Sequence, residues 1–200
     1  MAENTGIPKQ RTLVIMKPDG VKRALVGQIL ERFERAGLKL VGMKMMWVDT
    51  ERVGKHYTDN AEYLISVGEK ALENYQKCGL DPQEKLGTMD PLEVGKLVRK
   101  WNLDYMTNGP VVAMVLEAPH AVELVRKMVG HTFPQNAQPG TIRGDFSGDS
   151  TFISNQLQRS VKNLLHASGT EEEAKFEMEL WFHESEMFDY ERADEKLIWE

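Results

Sequence analysis

Cysteine is almost missing from this sequence. Cys78 is the only one, which excludes an internal disulfide and any multi-cysteine metal site. Long apolar runs are missing as well: the longest, Val111 to Leu116, is far too short to cross a bilayer. The polar stretch Met1 to Arg11 lacks the apolar segment of a signal peptide, and no Asn-x-Ser/Thr acceptor occurs. These absences predict a soluble, reduced, cytoplasmic protein. Neither the Gly-x-x-x-x-Gly-Lys-Ser/Thr loop nor the Gly-x-Gly-x-x-Gly turn is present, which argues against P-loop and dinucleotide chemistry. Asp145-Phe146-Ser147 has no His-Arg-Asp loop to accompany it, and His183-Glu184 lacks the second histidine of a zincin. A basic excess is lacking too, since 25 Lys and Arg face 31 Asp and Glu for a net charge of -6. Such a balance disfavours nucleic acid and anionic membrane as general partners. What is present is an ordinary globular composition, 41% apolar and 28% charged over 200 residues, enough for one domain with a real core.

Leu13 to Met16 is a continuous apolar run closed by Lys17-Pro18-Asp19-Gly20, which predicts a strand covered on both faces and ended by a turn. Val26, Ile29, Leu30 and Phe33 then recur at helical spacing up to a stop at Gly37. Leu38 to Val48 and Val111 to Leu116 read as further strands, the latter followed by a helix opened by Pro119 and ending near Gly130. This order is α/β or α+β in a single domain over residues 1–200. Two stretches look like insertions. Residues 58–108 carry Asp81-Pro82-Gln83-Glu84 and Asp90-Pro91-Leu92-Glu93, a helix-start signature written twice, which predicts a helical excursion. Residues 147–162 are polar and rich in Ser and Gln, and their pattern assigns them no particular structure.

Chemistry concentrates in three places. Thr170 and Glu173 form a capping box that starts a helix just after Asn163-Leu164-Leu165-His166-Ala167-Ser168-Gly169. Along that helix Ala174, Met178, Leu180, Trp181 and Phe182 fill one apolar arc, and Glu177 falls inside it. A carboxylate there needs a partner or must reach solvent at the rim. His166 can meet it only if the preceding segment folds back, with Ser168 as the natural bridge. Arg143, flanked by Gly140 and Gly144, suits a tight loop presenting guanidinium and N–H groups to an anion, although an ordinary surface turn reads the same way. Lys17 at a strand end is a common place for a phosphate-binding cation, although a lone lysine there is more often just solvated. His56, His120, His131 and His183 have charged or turn-like neighbours and read as surface residues. Met43, Met45 and Met46 read as strand core and interface filler.

Four motifs occur in one order: Lys17-Pro18-Asp19-Gly20-Val21, Gly109 to Val115, Pro139-Gly140-Thr141-Ile142-Arg143-Gly144-Asp145-Phe146, and Asn163-Leu164-Leu165-His166-Ala167-Ser168. The set closely resembles the nucleoside diphosphate kinases and covers most of residues 11 to 200, interrupted by the two insertions. The resemblance implies a ferredoxin-like α/β sandwich, an antiparallel sheet with helices on one face, assembled into a homo-oligomer, a tetramer or hexamer. It implies ping-pong transfer of a γ-phosphoryl group from a nucleoside triphosphate, typically ATP, to a nucleoside diphosphate through a phosphohistidine on His166. A neutral imidazole nitrogen is a competent nucleophile near pH 7. Carried over by position, Lys17 touches the ribose 3′-hydroxyl and γ-phosphate, Tyr57 places its hydroxyl near the histidine, and Arg126 and Thr132 hold the inner phosphates. Arg143 neutralises the γ-oxygens, Asn163 binds the sugar, and Ser168 and Glu177 fix the imidazole. Mg2+ would be bound mostly by nucleotide and water, with no protein metal-ligand set.

Two departures stand out. Gly169 occupies the place where the family usually has Asp. The aromatic residue that stacks on the base is matched by Tyr63, with Leu64 or Ile65 as alternatives because the first insertion starts nearby. A catalytically silent nucleotide-binding or scaffold homologue, using the insertions as a partner surface, is the alternative function.

Overall fold

The structure, a computed structural model, describes residues 8–199. Four antiparallel strands form one sheet in the order β2-β3-β1-β4: β1 (Gln10–Met16), β2 (Lys39–Met46), β3 (Val111–Ala118) and the short β4 (Leu165–Ala167). The helices, in chain order, are α1 (Pro18–Lys22), α2 (Val26–Arg35), α3 (Thr50–His56), α4 (Ala61–Lys77), α5 (Pro82–Leu86) and α6 (Pro91–Thr107), then α7 (Ala121–Val129), α8 (Ile142–Phe146), α9 (Thr151–Gln156), α10 (Glu171–Trp181) and α11 (Glu195–Trp199). Strand order and connectivity are those of a ferredoxin-like sandwich.

Helices cover both faces of the sheet, where the resemblance implied one. Alternate residues of β1 and β3 are apolar in both directions, so each face must be buried. Val14, Met16, Met114 and Leu116 pack against Ile29 and Phe33 of α2 and Val125 and Val129 of α7. Leu13, Ile15, Ala113 and Val115 pack on the other side against Val53 of α3, Met106 of α6 and Trp181 of α10. The second layer presses α3 and α10 together beside β1, and the candidate chemistry collects there.

Both Asp-Pro starts are realised. Asp81 and Asp90 accept hydrogen bonds from the N–H groups of Gln83 and Leu92, and proline occupies the first turn of α5 and α6. The helix after β3 opens at Ala121, not at Pro119, because His120 takes a left-handed conformation (φ 53°) immediately before it. Residues 147–162 contain α9, capped by Ser150.

The long helices α4 and α6 cross at two glycines. A Cβ on Gly95 would lie 2.0 Å from the Leu64 carbonyl oxygen, and one on Gly68 would lie 1.8 Å from that of Pro91. Gly95→Ala is therefore expected to lower stability by about 1–3 kcal/mol through backbone overlap, although alanine is the better helix former in isolation. Thermal unfolding at one protein concentration measures this; an unchanged or higher Tm would show that the helices do not touch there.

Candidate active site

His166 lies at the centre of β4, paired with Ile15 of β1, while α10 packs across the same strand and carries Glu177 to it. The eleven-residue separation closes because the chain folds back through Ser168, whose N–H donates to the Leu13 carbonyl at 3.2 Å. His166 Nε2 stands 2.8 and 2.9 Å from the two Glu177 oxygens, and the Ser168 hydroxyl donates to the same carboxylate at 2.6 Å. An ionised carboxylate only accepts, so the ring proton belongs on Nε2 and the Nδ1 lone pair stays unshared with Glu177. Burial works against the charge of Glu177. The hydrogen bond and charge of His166, with the Ser168 hydroxyl, outweigh it and hold the carboxyl below its ordinary range. Glu177 thus does not reach solvent at the helix rim.

A second group gathers positive charge. Lys17, only 7% exposed, donates to Asn163 Oδ1 at 2.8 Å and holds its ammonium 5.1 Å from the centre of the Tyr105 ring. Asn163 in turn donates from its amide to the Thr132 carbonyl at 3.0 Å. Burial, and secondarily Arg143, push Lys17 down to about 7 against the opposing pull of Asp19. Arg143 is also buried and spends three donors on the carbonyls of Asn163, Gly130 and Leu165. A guanidinium has five N–H donors, so two remain for an anion. Burial and then the nearby Arg126 bring Arg143 down to about 10. Amide, carbonyl and aromatic groups hold Lys17 and Arg143, so their charge is left for a ligand.

Leu164 shapes the backbone between the two groups. Its φ of 70° is left-handed for a non-glycine residue, a conformation that costs on the order of 1–3 kcal/mol. Its N–H donates to Asp19 Oδ2 at 3.2 Å and its carbonyl accepts from the Lys17 N–H at 2.8 Å. Those bonds lock the turn, which puts the Asn163 side chain on Lys17 while His166 continues into β4.

Of the remaining predicted residues, Tyr57 stands edge-on to His56 with ring centres 4.8 Å apart, and Thr132 meets Asn163 through its carbonyl. Burial, then Tyr63 and Glu177, push the Tyr57 phenol up, so it is a hydrogen-bond donor at any working pH. Tyr63, in the first turn of α4, is 40% exposed, and burial and then Glu173 raise its phenol. Leu64 is buried at the crossing with α6 and offers no face to a ligand, whereas Ile65 is 38% exposed. Arg126 and Thr132 are exposed.

One reading is corrected. His56 is not a surface residue: its side chain is 1% exposed and its ring centre lies 4.4 Å from that of His166. It belongs to the same helix face as buried Val53, a spacing visible in the sequence but hidden by the charged neighbours of α3. His120, His131 and His183 are exposed. Tyr105, beneath the Lys17 ammonium, and Arg99, which donates to the carbonyls of Gly54 and Tyr57, were not singled out from the sequence. A separate cleft of about 450 Å³, lined by Asp19, Lys22, Arg23, Tyr105 and Lys162 among others, holds none of the predicted site residues.

A family model described as nucleoside diphosphate kinase matches residues 10–65 and 94–187. The stretch 66–93 between the matched segments holds most of α4, all of α5 and the first turn of α6. A curated nucleoside diphosphate kinase of Pyrobaculum aerophilum is 48% identical over 183 residues, covering 92% of this chain and 100% of the relative. A crystal structure of an NDP kinase from the same organism superposes with a TM-score of 0.88 at 47% identity, covering 91% of this chain and 100% of that one. A nucleoside-diphosphate kinase from Borrelia burgdorferi, solved as a transition-state mimic with bound vanadate and ADP, gives a TM-score of 0.74 at 37% identity, covering 94% and 95%.

The depressed Lys17 makes a prediction with a definite sign. The free lysine loses its proton as pH rises through about 7, and a bound phosphate restores it. Binding of ADP should therefore take up a proton, and its affinity should fall by up to about tenfold per pH unit above neutrality. Calorimetry in buffers of different ionisation enthalpy measures the uptake, and Lys17→Gln should remove it. Affinity that stays flat from neutral to mildly alkaline pH would contradict the assignment.

Proposed function

The chain belongs to the nucleoside diphosphate kinase family, a family of phosphotransferases, and on that premise we propose that His166 is the residue that carries the phosphoryl group. The observation that supports this most is the bond from His166 Nε2 to Glu177, which leaves the Nδ1 lone pair as the nucleophile. In the first half-reaction Nδ1 attacks the γ-phosphorus of a nucleoside triphosphate. An N–P bond forms while the bond to the β,γ-bridging oxygen breaks, and the diphosphate leaves with that electron pair. Positive charge develops on the ring as the N–P bond forms, and the buried carboxylate stabilises it where water would not. A terminal oxygen of a second nucleoside diphosphate then attacks the phosphohistidine, and the same steps run in reverse.

The other residues take roles suited to their positions. Lys17 and the two free donors of Arg143 neutralise charge spreading onto the γ-oxygens, Arg126 and Thr132 hold the inner phosphates, and Asn163 with Lys17 meets the sugar hydroxyl. Tyr57 donates its hydroxyl near the transferred group. Tyr63 offers the base a π face, which every base can use, so base identity matters little. Ser168 and Glu177 hold the imidazole. The substrates are thereby nucleoside di- and triphosphates.

Mg2+ fits this site as a companion of the nucleotide. The phosphate-facing groups are cations, a hydroxyl and an amide. Among the described residues the one triad of histidine and carboxylate ligands is His56, His166 and Glu177, and its members are already engaged, His166 with Glu177 and His56 Nδ1 with the Trp181 N–H. A hard divalent ion would take its oxygens from phosphates and water, and supplies charge neutralisation there. For assembly, Met43, Met45 and Trp47 are 48%, 63% and 70% exposed along or just after β2, an edge strand. Met43 and Met45 are thus not strand core, whereas Met46 packs against the second core layer; the exposed side chains support a homo-oligomer, tetrameric or hexameric as the resemblance implies, that uses this edge. No helix among the described residues is long and apolar enough to cross a membrane; a cytoplasmic site is proposed from the substrates and the lone free thiol.

Incubation with γ-labelled ATP is expected to give an acid-labile, alkali-stable phosphoprotein that discharges onto added GDP. His166→Ala should abolish it while nucleotide still binds; retained exchange would refute the nucleophile, and a wild-type chain that binds nucleotide without labelling would favour a silent homologue. Arg143→Ala should lower kcat on the order of 100-fold or more, with a much smaller loss in diphosphate affinity. Equal losses in both, read from single-turnover rates and binding titrations, would mean that Arg143 only binds.

A further inference from the structure

We propose that His56 is a positioning residue for phosphoryl transfer: a buried, uncharged imidazole that fixes the ring plane and tautomer of His166. The inference rests on His166 being the phosphoryl carrier and adds to that machinery a residue that never touches the nucleotide.

The placement of His56 is itself held rigidly. It is the last residue of α3, which Asp49 caps at the other end by accepting from Arg52 N–H. Arg99 of α6 donates to the carbonyls of Gly54 and Tyr57 on either side of it, so the end of α3 is pinned to a second helix. The ring then stands edge-to-face with three others. Its centre is 4.4 Å from His166 at 83°, 4.8 Å from Tyr57 at 78° and 5.8 Å from Trp181 at 89°. A perpendicular contact this close leaves the neighbouring ring one plane; turning His166 about its Cβ–Cγ bond drives ring atoms into His56.

The tautomer follows from Trp181. An indole N–H can only donate, and it does so to His56 Nδ1 at 3.4 Å. Nδ1 therefore carries a lone pair and the ring proton sits on Nε2. Glu177 Oε1 lies 3.6 Å from the same Nδ1, yet receives no proton from it. The carboxylate is left to His166 and Ser168 alone. A second donor at this point would divide the charge of Glu177 and weaken its grip on Nε2–H of His166. The groups facing His56 are His166 on β4, Glu177 on α10, Tyr57 after α3 and Lys17 at the end of β1. Burial first, then His166 and Lys17, push its pKa down to about 3 against the pull of Glu177, so it stays neutral through the working range.

The test uses the full chain with ¹⁵N-labelled histidine. In the wild type, His56 should appear as the Nε2–H tautomer and show no titration down to about pH 5.5, and His166 should appear as a single Nε2–H tautomer at about pH 8. In His56→Ala and His56→Asn, His166 should become a mixture of tautomers. Its rate of phosphorylation by ATP should fall on the order of 10- to 100-fold, while ADP affinity changes by less than about twofold. His56→Phe, which keeps a flat ring against His166, should recover most of the rate. Wild-type His56 that protonates near pH 6–7 would overturn the proposal, and that measurement needs no variant to fold. It would equally be overturned by a His56→Ala enzyme with unchanged rate and tautomer, or by one whose rate and ADP affinity fall together. Absence of any phosphohistidine in the wild type would instead remove the reading on which the proposal stands.

Discussion

One hydrogen bond, from an imidazole on the edge strand to a carboxylate on the helix packed beneath it, organises this protein. Glu177 sits among Ala174, Met178 and Trp181 on the buried side of α10, where an ionised group without partners would be expelled or neutralised. The bonds from His166 and Ser168 keep it charged and in place. The carboxylate in turn decides which nitrogen of His166 is free. Sheet topology serves this contact: β4 pairs with β1 only through Val14, Ile15 and Met16, and α10 lies over β1, so strand and helix meet where the histidine is.

The half of the site proposed to bind phosphate is costly to build, and the fold shows how it is tolerated. A lysine and an arginine are buried, each lowered first by its burial and then by a neighbouring arginine, Arg143 for Lys17 and Arg126 for Arg143, and Leu164 is left in a strained left-handed turn beside them. Backbone carbonyls and the Asn163 amide hold both cations, which satisfies their geometry without cancelling their charge. A carboxylate partner would give a more stable protein and a weaker phosphate site. The two-faced core of β1 and β3 supplies the stability that offsets this arrangement.

Legibility from sequence followed the range of the interaction. Apolar runs at Leu13 and Val111 marked the central strands because a strand buried on both faces needs nothing but β-branched and apolar side chains. The Asp-Pro starts of α5 and α6 were readable because a cap is decided within four residues. Glu177 stood out because its helix period put a charge in an apolar arc, and its partner could be guessed from the short chain between them. His56 could not be found this way. Its burial comes from β4 and α10, which are distant in sequence, and the charged residue beside it on α3, Lys55, is exposed. Tyr105 beneath Lys17 was hidden for the same reason, and the left-handed His120 moved a helix start that Pro119 alone suggested. Family membership required the four motifs in register; each by itself reads as an ordinary turn or strand end.

The departure at Gly169 shows how a changed residue is absorbed. Thr170 caps α10 by accepting from the Glu173 N–H at 3.1 Å, but the Glu173 carboxylate does not return to Thr170 as a capping box requires. It reaches one residue further back, to the Gly169 N–H at 2.8 Å. A Cβ at position 169 would lie 2.6 Å from that carboxylate oxygen and 3.6 Å from Arg126 Nη1. The side chain that the family pattern places here and the Glu173 arm therefore compete for one space. Glycine at 169 admits the arm, and a carboxylate still stands at the start of α10, beside the arginine assigned to the inner phosphates. The helix terminus favours that charge, so the negative group is supplied from within the helix instead of from the strand that precedes it. The electrostatics at the mouth of the site are kept while the residue that provides them has moved by one turn.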